Sequence, residues 1–251
     1  MENKALYNYL LNLADDSVVL AQRLCEWTGH GPFLEEDLAL TNISLDIFGR
    51  ARAILEYAAQ LEGKGRTEDQ LAFFRNEREY TNVMLAELPN GDYAKTMMRL
   101  AFMNAYDLLL YTELTKSTDA TLAGIAAKAV KESIYHRRHS FSWVERFGNG
   151  TDESMQRLKD AFLDTWAFTG EMFESHAAYA ELVKAGVVVD PASLKAAWDK
   201  DIRDLLQRAG LSAPEGVYMQ TGGRKGVHTE HLGHLLAEMQ SLPRSLPEAT
   251  W

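Results

Sequence analysis

Along nearly the whole chain, apolar residues recur every three or four positions, and almost nowhere do they alternate with polar ones. The first period is that of an amphipathic α-helix and alternation is that of a half-buried strand, so the pattern predicts an all-α protein. Only 186–190 and 215–220 read as short β-like runs. Turn chemistry cuts the pattern into helices. Gly29-His-Gly-Pro32, Gly63-Lys-Gly65, Pro89-Asn-Gly91 and Gly148-Asn-Gly150 are breaks. Thr151 is a candidate cap, and Asp190-Pro191 reads as a cap followed by proline at the first helical position. The predicted helices span about 3–28, 35–62, 67–87, 92–116, 119–147, 151–185 (bent near Gly170), 191–209 and 227–242. Four of them have about 25 residues, roughly 38 Å at 1.5 Å per residue. Long helices joined by short turns, with one longer connection, suit a ferritin-like four-helix bundle. We expect a single domain over 1–251, with a bundle core over about 1–148 and additional C-terminal helices over about 151–242.

Polar residues inside apolar helix faces carry the most information, because burying them without a partner is costly. Asn104 and Asp107 sit in the most apolar helix. Asn42, Asp46 and Arg50 follow one another at spacings of four, as do Lys128, Glu132 and His136. The first helix carries Asp15, Asp16 and Gln22. One reading is a carboxylate-bridged di-metal site, which takes a Glu from each of two helices and a Glu-x-x-His pair from each of the other two. The sequence tests this directly. The residues three before its seven histidines are Trp27, Ser133, His136, Phe173, Lys225, His228 and His231, and none is acidic. Glu132 and His136 stand four apart, and the residue three after Asp46 is Gly49, which has no side chain to ligate with. The favoured reading is therefore a buried polar network, with Asp46 against Arg50 and Lys128, Glu132 and His136 chained along one face.

Other chemistry is excluded or set aside. A single cysteine, Cys25, rules out a disulfide framework and any Cys-based zinc or iron–sulfur site. The net charge of −10 disfavours nucleic acid and anionic membranes as partners. No apolar run is long enough to span a membrane, and the N-terminal segment lacks a signal-peptide block, so a cytoplasmic protein is expected. The basic, glycine-rich run 222–228 could hold an anion or a partner through Arg224 and Lys225, but it lacks P-loop spacing. His228, His231 and His234 read as a surface or interface row, since no His-Glu-x-x-His occurs. No Gly-x-Ser-x-Gly elbow is present, and the five tryptophans, Trp27, Trp143, Trp166, Trp198 and Trp251, read as core or interface residues.

Several segments together are more specific than any of these motifs. They are LAQRLCEWTG at 20–29, EDLALTNI at 36–43, LDIFGRA at 45–51, PNGD at 89–92, KESIYH at 131–136, GGRKGVHTEHLG at 222–233 and LAEMQ at 236–240. In order and spacing they resemble the C-type subunits of the bacterial 1,2-phenylacetyl-CoA epoxidases, over essentially the whole chain. That resemblance implies a ferritin-like helical bundle and a structural, non-catalytic role with no cofactor in this chain. It implies a partner, the A-type catalytic subunit, which carries the di-iron centre and binds the CoA thioester while a reductase supplies electrons from NADPH. The two chains would form a heterodimer that pairs into larger assemblies. Asp46, Asp107, Glu132 and His136 would then be remnants of a lost metal site. Two rival readings stand beside it. One is an active di-iron oxygenase or ferroxidase using Asp16, Asp46, Asp107, Glu132 and His136; the other is a helical interaction protein unrelated to oxygenases.

Overall fold

The computed structural model describes residues 2–249, with side chains from Lys4 onward; Trp251 lies outside the described residues. In chain order the helices are α1 (Glu2–Cys25), α2 (Leu34–Glu62), α3 (Glu68–Phe73), α4 (Met84–Glu87), α5 (Tyr93–Leu114), α6 (Ala120–Gly148), α7 (Asp152–Trp166), α8 (Ala180–Lys184), α9 (Lys195–Arg208), α10 (Glu230–Met239) and α11 (Ser241–Ser245), with short 3-10 turns between them. No strand occurs among the described residues, so the fold is all-α, consistent with a ferritin-like bundle. The runs at 186–190 and 215–220 are turns and loop. The chain divides into two compact units, one of residues 1–89 with 222–251 and the other of 90–221.

In the first unit α1 packs along α2. Leu10, Ala14, Ala21 and Leu24 on α1 and Leu40, Ile43, Ile54 and Ala58 on α2 are fully buried at helical spacing, which is the stripe the sequence displays. α2 ends where Gly63 takes a left-handed conformation (φ 67°) and its N–H reaches the Ala59 carbonyl. Beyond it, Thr67 and Gln70 form a capping box that starts α3.

The helix expected over about 67–87 is broken, and the reason is tertiary. Only Glu68–Phe73 and Met84–Glu87 are α-helical. Between them the chain runs partly extended, and the N–H groups of Thr81 and Val83 donate to the α1 carboxylates of Asp15 and Asp16, both at 2.8 Å, instead of to carbonyls one turn back. These bonds replace the ones a continuous helix would have made.

In the second unit α5 pairs with α6, each opened by an aspartate cap: Asp92 accepts from Lys95 N and Asp119 from Leu122 N. α7 and α9 cover α5 through an aromatic cluster. Trp198 donates its Nε1–H to the Phe102 carbonyl at 2.9 Å and packs against the rings of Phe102, Trp166 and Phe173, with Phe162 behind Phe102 and Trp166. The helix expected over about 151–185 ends at Trp166. The Ala167 carbonyl accepts from Gln220 N at 2.8 Å, and a Cβ on Gly170 would collide with the Met219 side chain. A returning loop thus occupies the path the helix would have followed.

In the first unit, the acid at the C-terminal end of α2 titrates predictably. Arg66 donates to Glu62 (Nε to Oε2, 2.7 Å), and this hydrogen bond holds the Glu62 carboxyl down at about 2, below its ordinary 4.5. A depressed acid contributes stability above its unfolded value and loses it as pH falls through the folded value. The stability gap between wild type and E62Q, read by urea denaturation, should be full at pH 6 and should close as pH drops from 4.5 toward about 2. A pH-independent gap would contradict the assignment.

Candidate functional site

The positions that resemble metal ligands are distributed over both units. Asp46 lies on α2 in the first unit and is half-buried. Asp107 on α5 and Glu132 and His136 on α6 belong to the second. Asp107 and His136 are buried. Glu132 faces Lys128 at 3.5 Å, one turn away on α6, and the Lys128 side chain is largely exposed. That pair is therefore a rim contact rather than a buried one. Arg50 donates to Ser17 Oγ at 3.2 Å. Asp16, a ligand in the rival oxygenase reading, is occupied by Arg224 through two hydrogen bonds of 2.7 and 2.9 Å. Among the described residues, no three His, Cys, Asp or Glu side chains gather in a group that could hold a metal ion. The donor set thus does not fit a carboxylate-bridged metal pair. Its nitrogen ligand stands one residue out of register, and one of its acids already carries an arginine.

The densest buried charge instead lies in the first unit, where three acid–base pairs join distant segments. Asp15, fully buried, takes both Nη atoms of Arg75, with Nη1 at 3.0 Å, and also accepts from Thr81 N and Oγ1. Arg75 donates further to the Leu71 carbonyl at 2.6 Å and the Glu79 carbonyl at 2.9 Å, and its guanidinium stacks 4.3 Å over the Tyr80 ring. Burial pulls the Arg75 pKa down, but the Asp15 charge and hydrogen bonds outweigh it and hold Arg75 above the ordinary arginine value. Burial pushes the Tyr80 phenol up to about 12, so that hydroxyl stays protonated. It donates to the Ala72 carbonyl and accepts from Gln240 Nε2 at 3.0 Å.

The glycine-rich run supplies the other two pairs. Arg224 reaches Asp16 and the carbonyls of Asn12 and Thr81 at 3.2 and 2.8 Å. His228 and Glu87 lie 2.8 Å apart. Arg23 donates to the Glu87 carbonyl from Nε (3.1 Å) and Nη2 (2.8 Å), and to the His231 carbonyl at 3.1 Å. The run thus fastens the C-terminal segment to α1 and α4, while Lys225 beside it is exposed. His228 is enclosed rather than part of a surface row, because its ring is needed by Glu87. Gly226 (φ 71°) allows the approach, since a Cβ there would sit inside contact distance of the Arg78 carbonyl oxygen.

The sequence shows Asp15, Asp16 and Arg224 as polar positions of note, but not Arg75 or Glu87. The available signals were an arginine directly after the apolar run Leu71–Phe74 and a glutamate after Met84-Leu-Ala.

Residues 1–251 match the family described as "Phenylacetic acid catabolic protein". A protein of Escherichia coli (strain K12), named as the C-type subunit of 1,2-phenylacetyl-CoA epoxidase, is 49% identical over 243 residues, covering 97% of this chain and 98% of that one. The chain belongs to the phenylacetic acid catabolic protein family.

Two measurements test the buried pairs. D15A should lower unfolding stability by about 3–5 kcal/mol, because it leaves the Arg75 charge buried and unpaired, and D15L with R75M together should recover much of that loss. Additive losses in a double-mutant cycle would contradict the pairing. G226A should cost about 1–3 kcal/mol more than G63A, because both glycines have positive φ but only Gly226 is closed off by a backbone oxygen. Equal losses would contradict the close approach.

Proposed function

We propose, with this family membership as premise, that the chain is the C-type subunit of a 1,2-phenylacetyl-CoA epoxidase in phenylacetate breakdown. Its role is structural: it binds and stabilises the A-type, di-iron catalytic subunit, and it carries no cofactor of its own. The observation that carries the reading is the match to the E. coli C-type subunit over nearly the full length of both chains. The donor set supports it, since acids and histidines stand near the positions of a metal site without its Glu-x-x-His pairs. A subunit that works by contact also needs a surface to present. On α2, Leu34, Leu38 and Leu45 lie on one helical face and are 69%, 54% and 61% exposed. Their stripe continues into a 310 Å³ groove lined by Val18, Phe48, Leu55 and Phe73. We assign this face to the catalytic partner, with heterodimers pairing into larger assemblies.

Co-expression with the catalytic partner tests the assignment. The two chains should elute as one complex, and L38D with L45D should weaken it at least about tenfold, since a charge would be desolvated at the contact. L246D, at an exposed leucine on the last described turn, should leave the complex intact. Separate elution of the wild-type chains would overturn the proposal.

A further inference from the structure

The side chains of His228 and Glu87 have no exposed surface at all. Both ring nitrogens of His228 face oxygens: Nδ1 lies 2.8 Å from Glu87 Oε2, and Nε2 lies 2.9 Å from the Tyr80 carbonyl oxygen. A carbonyl oxygen has no proton to give, so Nε2 must donate. The Glu87 carboxylate also accepts from Thr229 N at Oε1 (2.6 Å) and from Asn82 Nδ2 at Oε2 (2.8 Å). Both carboxylate oxygens thus act as acceptors, so Nδ1 also faces an acceptor. A neutral imidazole carries one N–H and satisfies one of its two acceptors, whereas the imidazolium satisfies both.

We propose that His228 is held as an imidazolium between Glu87 and the Tyr80 carbonyl, and that it is a pH-sensitive latch fastening the C-terminal segment, residues 222–249, onto α1 and α4. The surrounding charges set the direction. From α4, Glu87 faces the ring. From α1, Arg23 faces the Glu87 and His231 carbonyls and is balanced by Glu26 at 2.7 Å. On the segment itself Arg224 is neutralised by Asp16. The Tyr80 phenol, pushed up to about 12, stays neutral. The acid in contact with the imidazolium is Glu87. When the ring loses a proton, one nitrogen lone pair is turned either toward a carboxylate or toward a carbonyl, and the contact becomes repulsive. The latch holds while the ring is charged and loosens as pH rises.

The full-length chain, labelled with ¹⁵N in its histidines, allows a direct test. At pH 7.5, about one unit above the ordinary histidine value, both ring nitrogens of His228 should carry a proton. A single protonated nitrogen would overturn the proposal. Hydrogen exchange reads the consequence. After correction for intrinsic rates, amides of α10 should exchange at least about tenfold faster at pH 9.5 than at pH 6.5 in wild type, and H228Q should show no such rise. An equal response in both chains would overturn the latch. Should H228Q fail to fold, the ring protonation of the wild-type chain decides alone.

Discussion

Two adjacent carboxylates near the middle of α1 organise the first unit. Neighbouring residues on a helix point about a hundred degrees apart, so Asp15 and Asp16 reach different partners. Asp15 gathers Arg75 and Thr81, and Asp16 gathers Val83 and Arg224. Burying two acids is expensive, and well-packed apolar residues of similar volume could match the stability. What the acids supply is direction. They specify where residues 71–83 run and where the C-terminal segment returns, and they stop the segment after Phe73 from continuing as a helix. Tyr80, Gln240 and Arg244 then complete the hydrogen bonds of the Arg75 segment.

The long helices were legible because their period is local. α1, α2, α5 and α6 begin and end within about three residues of the positions that capping and glycine signals mark. The errors fall where a side chain from far along the chain competes with the backbone. The stretch after α3 has acceptable helix formers, and nothing within it announces that Asp15 and Asp16 will claim the N–H groups of Thr81 and Val83. The same holds for the stretch after α7, where Gln220 takes the Ala167 carbonyl. At the candidate site the polar positions were visible as exceptions to an apolar face, yet their partners were not. Arg224 lies 208 residues from Asp16, and Lys128, read as part of a buried chain, is an exposed contact of Glu132.

Family membership and geometry lead to one account. The helices form the framework, and in the first unit three acid–base pairs hold its buried charge. Asp46, Asp107, Glu132 and His136 do not carry the Glu-x-x-His spacing of a di-metal site, and Asp16 is engaged by Arg224. The exposed leucines of α2 form an apolar stripe on its surface, the face that the proposed function assigns to the partner.

The central claim is that this chain lends a surface and not a reaction centre. Iron per chain, measured by elemental analysis on the protein purified alone and loaded anaerobically with ferrous iron, addresses it most directly. The account predicts iron close to zero. About two iron atoms per chain would contradict it and would make Glu132 and His136 ligands of an oxygen-activating site.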